Sequence, residues 1–393
     1  MRAPDLDRIL AAMLKTYDGI SDLNFTVGRP LQVEDFGELK PVFVDPPIER
    51  LTPYQTEQIS LLLMQGDRRL MRDYLAEGSC DVSYSLSDEA RFRVNIFRQQ
   101  GNFSIVMRRL QADVPSVASL ELPPILKEIA KEKSGLVLVT GATGSGKTTT
   151  LATILNEVNE NQSVHVVTLE DPIEFIHLHK QATFNQRELG RDFDSYPNGL
   201  RAALRQSPKI ILVGEMRDRA TVEIALMAAE TGHLVLSTLH TVDAGQSINR
   251  ILGLFSLGEE KQLRLRLADT VRYVVSQRLA PKVGGGRQLL TEIMGNTLRT
   301  RETILLGESK ARTFYEIIEA NSTFGWCTFD QSILNAYEAG TISEETANIF
   351  ASRKGRVTRG IDLIQKMRGI ENDLDDTGLR LDLPTNAFSE ARK

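Results

Sequence analysis

The sequence predicts an α/β fold with a parallel-sheet core, preceded by a smaller α+β region and followed by helices. From residue 134 onward, short and fully apolar runs alternate with helix-like stretches. The four runs are GLVLVT at 135–140, VHVVTL at 164–169, IILV at 210–213 and LVLSTL at 234–239. Continuous β-branched runs are typical of strands that are covered on both faces, and such strands form parallel sheets.

The first third of the chain predicts a separate α+β domain over residues 1–110. An amphipathic helix at the N-terminus, a strand at 21–27 and a helix at 53–65 precede two strands that surround a glycine turn within 90–110. Alternation of apolar and polar residues here, in place of continuous apolar runs, distinguishes this region from the rest of the chain.

Three prolines and weak periodicity after residue 110 predict a linker at 111–119. The second domain is expected at 120–369, and its last part, after about residue 290, has the pattern of successive helices. The final segment, 370–393, is polar, acidic and aperiodic, so we expect a disordered tail there.

Composition narrows the class of protein. The 393 residues are 41% hydrophobic and 25% charged, as in an ordinary soluble protein with a sizeable core. A net charge of −5 argues against a nucleic-acid partner, because phosphate neutralisation dominates such binding. No apolar run reaches the roughly 20 residues of a transmembrane helix. Two cysteines, Cys80 and Cys327, are too few for a Cys-rich zinc site, and we expect a cytoplasmic chain.

Residues 141–148, GATGSGKT, fit the pattern G-x-x-x-x-G-K-[ST] between a buried strand and a candidate helix. Glycines let successive N–H groups point at phosphate oxygens, and the following helix N-terminus adds partial positive charge. Lys147 is expected to reach the β- and γ-phosphates of ATP, and the Thr148 hydroxyl to ligate Mg²⁺. A glycine-rich turn without a ligand is the alternative. The predicted binding residues are Gly141, Ala142, Thr143, Gly144, Ser145, Gly146, Lys147, Thr148 and Thr149.

Two carboxylates follow apolar strands and are candidates for catalysis, with ordinary solvated loop carboxylates as the alternative. Glu215 comes directly after the run IILV, where it can orient the attacking water or hold a metal-bound water. Glu170 ends the run VHVVTL and is expected at the same edge of the sheet. His233 and His240 bracket the run LVLSTL; His233 is the candidate phosphate sensor, with a purely structural histidine as the alternative.

These motifs together resemble the secretion-ATPase superfamily, and specifically the PilT/PilU-type retraction motors of type IV pili. The resemblance covers about residues 1–369. It is carried by RFRVN (91–95), GLVLVTGATGSGKTTTLA (135–152), EDPIEF (170–175), NQRE (185–188), ILVGEMRD (211–218) and AETGHLVLSTLHT (229–241). The Asp box of the family corresponds to the segment around 170–174, its Walker B element to Gly214 and Glu215, and its His box to 233–240.

The resemblance implies a RecA-like ATPase domain preceded by a PAS-like domain, assembled as a homo-hexamer that hydrolyses ATP. Glu215 would polarise the water, and the N-terminal Arg91, Arg93 and Arg108 would contact the nucleotide as arginine fingers. ATP would lie between domains and neighbouring subunits. The ring would sit in the cytoplasm, at the inner-membrane base of the pilus, and rotate a platform protein so that pilin subunits are withdrawn.

Alternatives within the family stay open. The Ala-Ile-Arg-Asn-Leu stretch common in retraction motors is replaced by TLRTRET at 297–303, and the C-terminal region resembles a PilU-like accessory motor that works with a paralogue. A weakly hydrolysing scaffold subunit is a second possibility. A pilus-assembly or type II secretion ATPase is a third, although two isolated cysteines do not match the paired CxxC insertion of those members.

Overall fold

The structure, a computed structural model, describes residues 3–45, 47–87, 89–110, 114–310 and 312–369. The predicted tail at 370–393 lies outside the described residues, as do residues 111–113 of the predicted linker. The linker and domain boundaries therefore stay predictions. Described chain resumes at residue 114, and the first helix beyond it begins at Ile125.

The N-terminal region is a six-stranded antiparallel sheet covered by three helices. The sheet order is β3-β2-β1-β6-β5-β4. The strands are β1 Ile20–Phe25, β2 Leu31–Asp35, β3 Glu38–Val42, β4 Ser79–Leu86, β5 Ala90–Gln99 and β6 Asn102–Leu110. The helices are α1 Ala3–Leu14, α2 Pro53–Met64 and α3 Arg68–Glu77. Their apolar faces enclose a core of buried residues that includes Phe25 and Phe92.

The hairpin of β5 and β6 matches the predicted pair of strands around a glycine turn. Gln99 pairs with Asn102, so only Gln100 and Gly101 form the connection. Both have positive φ, 50° and 79°, as a two-residue turn of this twist requires. This hairpin carries the arginine-rich segment RFRVN.

The second sheet has seven strands in the order β13-β12-β7-β11-β10-β8-β9. Its strands are β7 Gly135–Gly141, β8 His165–Glu170, β9 Thr183–Glu188, β10 Ile210–Val213, β11 Leu234–Leu239, β12 Val271–Pro281 and β13 Arg287–Gly295. All neighbours are parallel except β12 and β13. Every residue of β7, β10 and β11 is buried, which confirms the prediction that apolar runs form strands covered on both faces.

Eleven helices are described around and beyond this sheet. They are α4 Ile125–Ala130, α5 Lys147–Asn161, α6 Tyr196–Ala203, α7 Arg219–Glu230, α8 Ala244–Leu252, α9 Glu260–Thr270, α10 Leu298–Leu306, α11 Phe314–Ala320, α12 Phe329–Glu338, α13 Glu344–Phe350 and α14 Lys354–Met367. The last three pack on β12 and β13 through a separate apolar cluster that includes Phe329 and Ile361. Among the described helices, none combines the length and the apolar character needed to cross a bilayer.

The structure corrects the expectation that the chain after about residue 290 is helical throughout. Residues up to Gly295 belong to β13, and helices begin only at Leu298. β13 forms a hairpin with β12, joined by the turn that contains Gly284, Gly285 and Gly286. Polar residues interrupt both strands, and the criterion of a fully apolar run therefore missed them.

Candidate functional site

The predicted phosphate loop connects β7 directly to α5. Gly146 caps the helix with a φ of 90°, and Gly144 has a φ of 77°. Gly141 has a φ of 146°, and a Cβ there would lie 2.5 Å from the backbone oxygen of Gln277 and from Ser145 Oγ. The loop therefore needs glycine at 141 both for backbone conformation and for space.

Lys147 is folded back onto this loop. Its Nζ donates to the backbone oxygens of Gly141 and Ala142, each at 2.9 Å. Burial lowers the pKa of Lys147, while the carboxylates of Glu215 and Glu174 act in the opposite direction. A nucleotide phosphate would give this buried ammonium charged acceptors, which form stronger hydrogen bonds than the two carbonyl oxygens do.

A cavity of about 480 Å³ lies beside the loop, at the carboxyl ends of β8, β10 and β11. This is the edge at which parallel α/β sheets bind ligands. Six of the nine predicted loop residues line it, namely Thr143, Gly144, Gly146, Lys147, Thr148 and Thr149. Gly141, Ala142 and Ser145 complete the loop without lining the cavity. The cavity also receives Arg93 from the N-terminal sheet, so two structural units enclose it.

Glu215 lies in this cavity, directly beyond β10. Its Oε2 is 2.7 Å from Arg217 Nη2, and its Oε1 is 3.4 Å from His240 Nε2. The Glu215 side chain is 17% exposed, whereas that of Arg217 is 71% exposed. The carboxylate is thus fixed from two sides and open to the cavity on a third, as a residue that orients a water must be.

Glu170 lies at the same edge, as the sequence predicted, but in a different environment. Thr168 Oγ1 donates to Glu170 Oε1 at 2.6 Å, and Gln186 Nε2 donates to the same oxygen at 3.2 Å. Burial raises the pKa of Glu170 to about 7. A carboxyl whose pKa is raised in this way holds its proton more readily near neutral pH than an ordinary glutamate does, so it is a less dependable proton acceptor.

The two histidines lie at opposite ends of β11, and only one of them lines the cavity. His233 precedes the strand, its Nδ1 is 3.0 Å from the backbone oxygen of Ala228, and it does not line the cavity. His240 follows the strand and does line it, beside Glu215. His240 is thus the histidine beside Glu215 in this cavity, and the role of phosphate sensor for His233 stays a prediction.

The three predicted arginine fingers are in three different environments. Arg93 lines the cavity. Arg91 forms an ion pair with Glu188 at 2.7 Å, and its side chain is only 15% exposed. Arg108 is 70% exposed and pairs with Asp22 at 3.0 Å. Within this chain, Arg93 alone among the three reaches the cavity.

Sequence reasoning missed Leu279, Arg287 and Tyr196, which also line the cavity. Leu279 and Arg287 lie on the hairpin of β12 and β13, which was not predicted, so no signal placed them near the phosphate loop. Tyr196 opens α6, and burial raises its pKa above the usual value for a tyrosine. An apolar surface and a guanidinium on the hairpin extend the cavity beyond its phosphate-binding end.

The donor set of the cavity suits Mg²⁺. The Thr148 hydroxyl and the Glu215 carboxylate supply oxygen atoms, which Mg²⁺ prefers, and the ion usually keeps several waters and binds substrate phosphates as well. Among the described residues, no group of three or more His, Cys, Asp or Glu side chains is arranged to hold a metal by itself. These residues therefore fit an ion that is carried largely by the nucleotide.

The chain is similar to known proteins both in sequence and in structure. The family described as Type II/IV secretion system protein matches residues 76–325. The type IV pilus retractation ATPase PilT of Pseudomonas aeruginosa is 38% identical, over 87% of this chain and 97% of that protein. The type IV pilus ATPase PilU of the same organism is 35% identical, over 94% of each.

A crystal structure of the pilus retraction motor PilT with bound ADP has the same fold, with a TM-score of 0.80 and 37% identity. The match covers 90% of this chain and 99% of that one, so it includes both sheets. It confirms the predicted α/β class with a smaller N-terminal domain. This chain belongs to the family of type II/IV secretion system proteins and is one of its ATP hydrolases.

Proposed function

We propose that this chain is the motor subunit of a hexameric ring that couples ATP hydrolysis to type IV pilus retraction. The observation that carries the proposal is the cavity, in which the phosphate loop and Glu215 of the ATPase domain meet Arg93 of the N-terminal domain. The full-length likeness to PilT and PilU supplies the biological context for that chemistry.

The residues of the cavity divide the chemistry among them. Lys147 and the N–H groups at the start of α5 neutralise phosphate charge. Glu215 orients a water for attack and accepts its proton, while Arg217 and His240 hold the carboxylate in place. Mg²⁺, held through the Thr148 hydroxyl and through a water on Glu215, would supply further charge stabilisation to the phosphates. Arg93 adds a positive charge from the opposite side of the cavity.

The position of Arg93 explains how chemistry can become movement. A γ-phosphate between the loop and Arg93 would hold the two domains together through charge on both sides. Its loss on hydrolysis removes that link, so the relation between the domains would depend on the nucleotide state. In a ring of six copies, successive changes of this kind would turn a platform protein at the inner membrane.

Two roles in retraction are compatible with this chemistry, and an accessory role of the PilU kind has specific support. The stretch TLRTRET at 297–303 departs from the signature of main retraction motors. The likeness to PilU extends over 94% of both chains. A paralogous retraction ATPase would then be a partner of this ring.

The proposal is tested by deleting the gene and restoring it on a plasmid. Without the protein, we expect surface pili to be present or in excess, while twitching or pilus-dependent uptake falls. Complementation with the Lys147→Ala variant should not restore movement. A deletion strain that makes no pili, and regains them on complementation, would show an assembly motor and overturn the proposal.

The ring is tested separately from its cellular task. Mass measurement in solution should give six copies in the presence of nucleotide, and phosphate release should depend on ATP and Mg²⁺. A monomer with normal turnover would contradict the ring, and a ring that binds nucleotide without turnover would favour the scaffold alternative.

A further inference from the structure

Glu188 connects the two domains at a single buried carboxylate. It is the last residue of β9 and is buried. Its Oε2 accepts from Arg91 Nη2 at 2.7 Å and from Ser83 Oγ at 2.9 Å. Both donors belong to the N-terminal sheet, whereas Glu188 belongs to the ATPase sheet. The backbone N–H of Ile173 is 3.3 Å from the same oxygen.

The two donors are the immediate neighbours of Arg93. Arg91 precedes Arg93 by two residues on β5, so the two side chains lie on the same face of the sheet. Ser83 lies directly opposite Arg93 in the pairing of β4 with β5. Glu188 thus holds the strand positions on both sides of the arginine that lines the nucleotide cavity.

On the ATPase side, Glu188 is tied to the same cavity. It pairs with Glu170 in the register of β8 and β9, and Glu170 lines the cavity. The backbone N–H of Glu188 donates to Asp192 Oδ2 at 2.8 Å, which fixes the end of the strand. The Glu188 carboxylate therefore fixes the position of Arg93 relative to a wall of the cavity that the ATPase domain forms by itself.

A second contact confirms that the segment after β9 is a domain interface. Gly190 has a φ of 80°, and a Cβ at this position would lie 2.8 Å from the guanidinium of Arg69 on α3. No other residue type fits there without moving Arg69. Two arginines of the N-terminal domain, Arg69 and Arg91, thus pack on one short segment of the ATPase domain.

We propose that Glu188 is a positioning residue for ATP hydrolysis, which sets the place of Arg93 at the nucleotide through its bonds to Arg91 and Ser83. Arg91 is then a domain contact in this arrangement and not a group that touches the phosphate. The inference rests on the proposed function, ATP hydrolysis in this cavity. Turnover of the wild-type chain, measured in the same assay, tests that function separately.

The first test compares Glu188→Gln with Glu230→Gln in the full-length protein. Glu230 also pairs with an arginine, Arg266, at 2.9 Å, but it lies away from the domain contact. Glutamine keeps an acceptor oxygen and removes the charge that holds Arg91. We expect Glu188→Gln to lower kcat by up to about 100-fold, as a displacement near 1 Å can. The Kd for ADP should change by less than about twofold, and Glu230→Gln should leave both values unchanged.

The second test asks whether Glu188 acts through Arg93. In the background of Arg93→Lys, Glu188→Gln should lower kcat by less than about a further twofold. The reason is that the side chain positioned by Glu188 has already been altered. A multiplicative loss in the double variant would show that Glu188 acts independently of Arg93 and would overturn the proposal. A kcat for Glu188→Gln within about twofold of wild type would overturn it as well.

Ser83→Ala is a control for the possibility that Glu188→Gln lowers kcat through a folding defect. It removes the hydrogen bond that the neutral Ser83 hydroxyl donates to Glu188, leaves the ion pair with Arg91 intact and should lower kcat by a smaller factor than Glu188→Gln does. In the Glu188→Gln variant, amide hydrogen exchange should be faster than in wild type in the peptides that contain β4 and β5. It should stay unchanged in the peptides of β10 and β11. A rise spread evenly over both domains would indicate general destabilisation and contradict a positioning role.

Discussion

Replacing Glu215 with glutamine should separate nucleotide binding from nucleotide hydrolysis. The amide keeps the length and shape of the side chain, but it cannot accept a proton from the attacking water. Loss of the carboxylate as a proton acceptor should reduce kcat by about 10²- to 10⁴-fold, the usual contribution of a general base. This corresponds to about 3 to 5 kcal/mol of transition-state stabilisation.

The effect of the same change on binding should be much smaller. The ion pair that is lost joins Glu215 to Arg217, whose side chain is 71% exposed. Solvent screening limits such a pair to at most about 1 kcal/mol, which is roughly a fivefold change in an equilibrium constant. The contrast between a large loss of kcat and a nearly constant Kd for ADP is the expected result.

The assay is steady-state phosphate release, together with ADP binding measured on the same preparation. Glu170→Gln serves as the comparison, because that carboxyl lies at the same edge of the sheet and burial raises its pKa. Turnover of Glu215→Gln within about tenfold of wild type would refute the assignment of Glu215 as the general base, since so small a loss is less than a general base contributes. If Glu170→Gln then abolished turnover, the role would pass to Glu170.

Three further outcomes are expected. Lys147→Ala should abolish turnover and weaken nucleotide binding in an equilibrium titration, because no other loop side chain supplies a phosphate-directed charge; near-normal binding would contradict this. Mixing inactive Arg93→Ala with inactive Glu215→Gln subunits should not restore turnover, since both residues line the cavity of one chain; recovery in mixed rings, confirmed by mass, would show action between subunits. Glu292→Gln should match wild-type stability near pH 4 and exceed it at pH 8, because burial raises the pKa of Glu292 to about 7. The charged form is then disfavoured in the folded state, and the advantage of glutamine should grow between about pH 4.5 and 7 to at most about 3 kcal/mol, read as a higher Tm; a constant difference in Tm across this range would contradict it.

The phosphate site was predictable because its signals are local. The loop motif lies between a buried strand and a helix, and the four apolar runs correspond to β7, β8, β10 and β11. The position of His240 at the cavity was also within reach of the sequence. The carboxyl ends of parallel strands meet at one edge of the sheet, and only His240 follows its strand.

The rest of the site depends on contacts between distant segments. Leu279 and Arg287 lie on strands that polar residues interrupt, so the apolar-run criterion did not find them. The division of roles between Arg91 and Arg93 follows from how the two domains meet. Two arginines on one face of a strand look alike in sequence, whereas in the structure Arg91 pairs with Glu188 and Arg93 lines the cavity.

Imaging of labelled pili in live cells tests the central claim most directly. Cells in which Glu215→Gln replaces the wild-type protein should extend pili, while the frequency or speed of retraction falls below that of wild-type cells. Control cells in which Glu230→Gln, and no other change, replaces the wild-type protein should retract their pili normally. Unchanged retraction in the Glu215→Gln strain, or a failure of that strain to extend pili, would contradict a motor that hydrolyses ATP to withdraw the pilus.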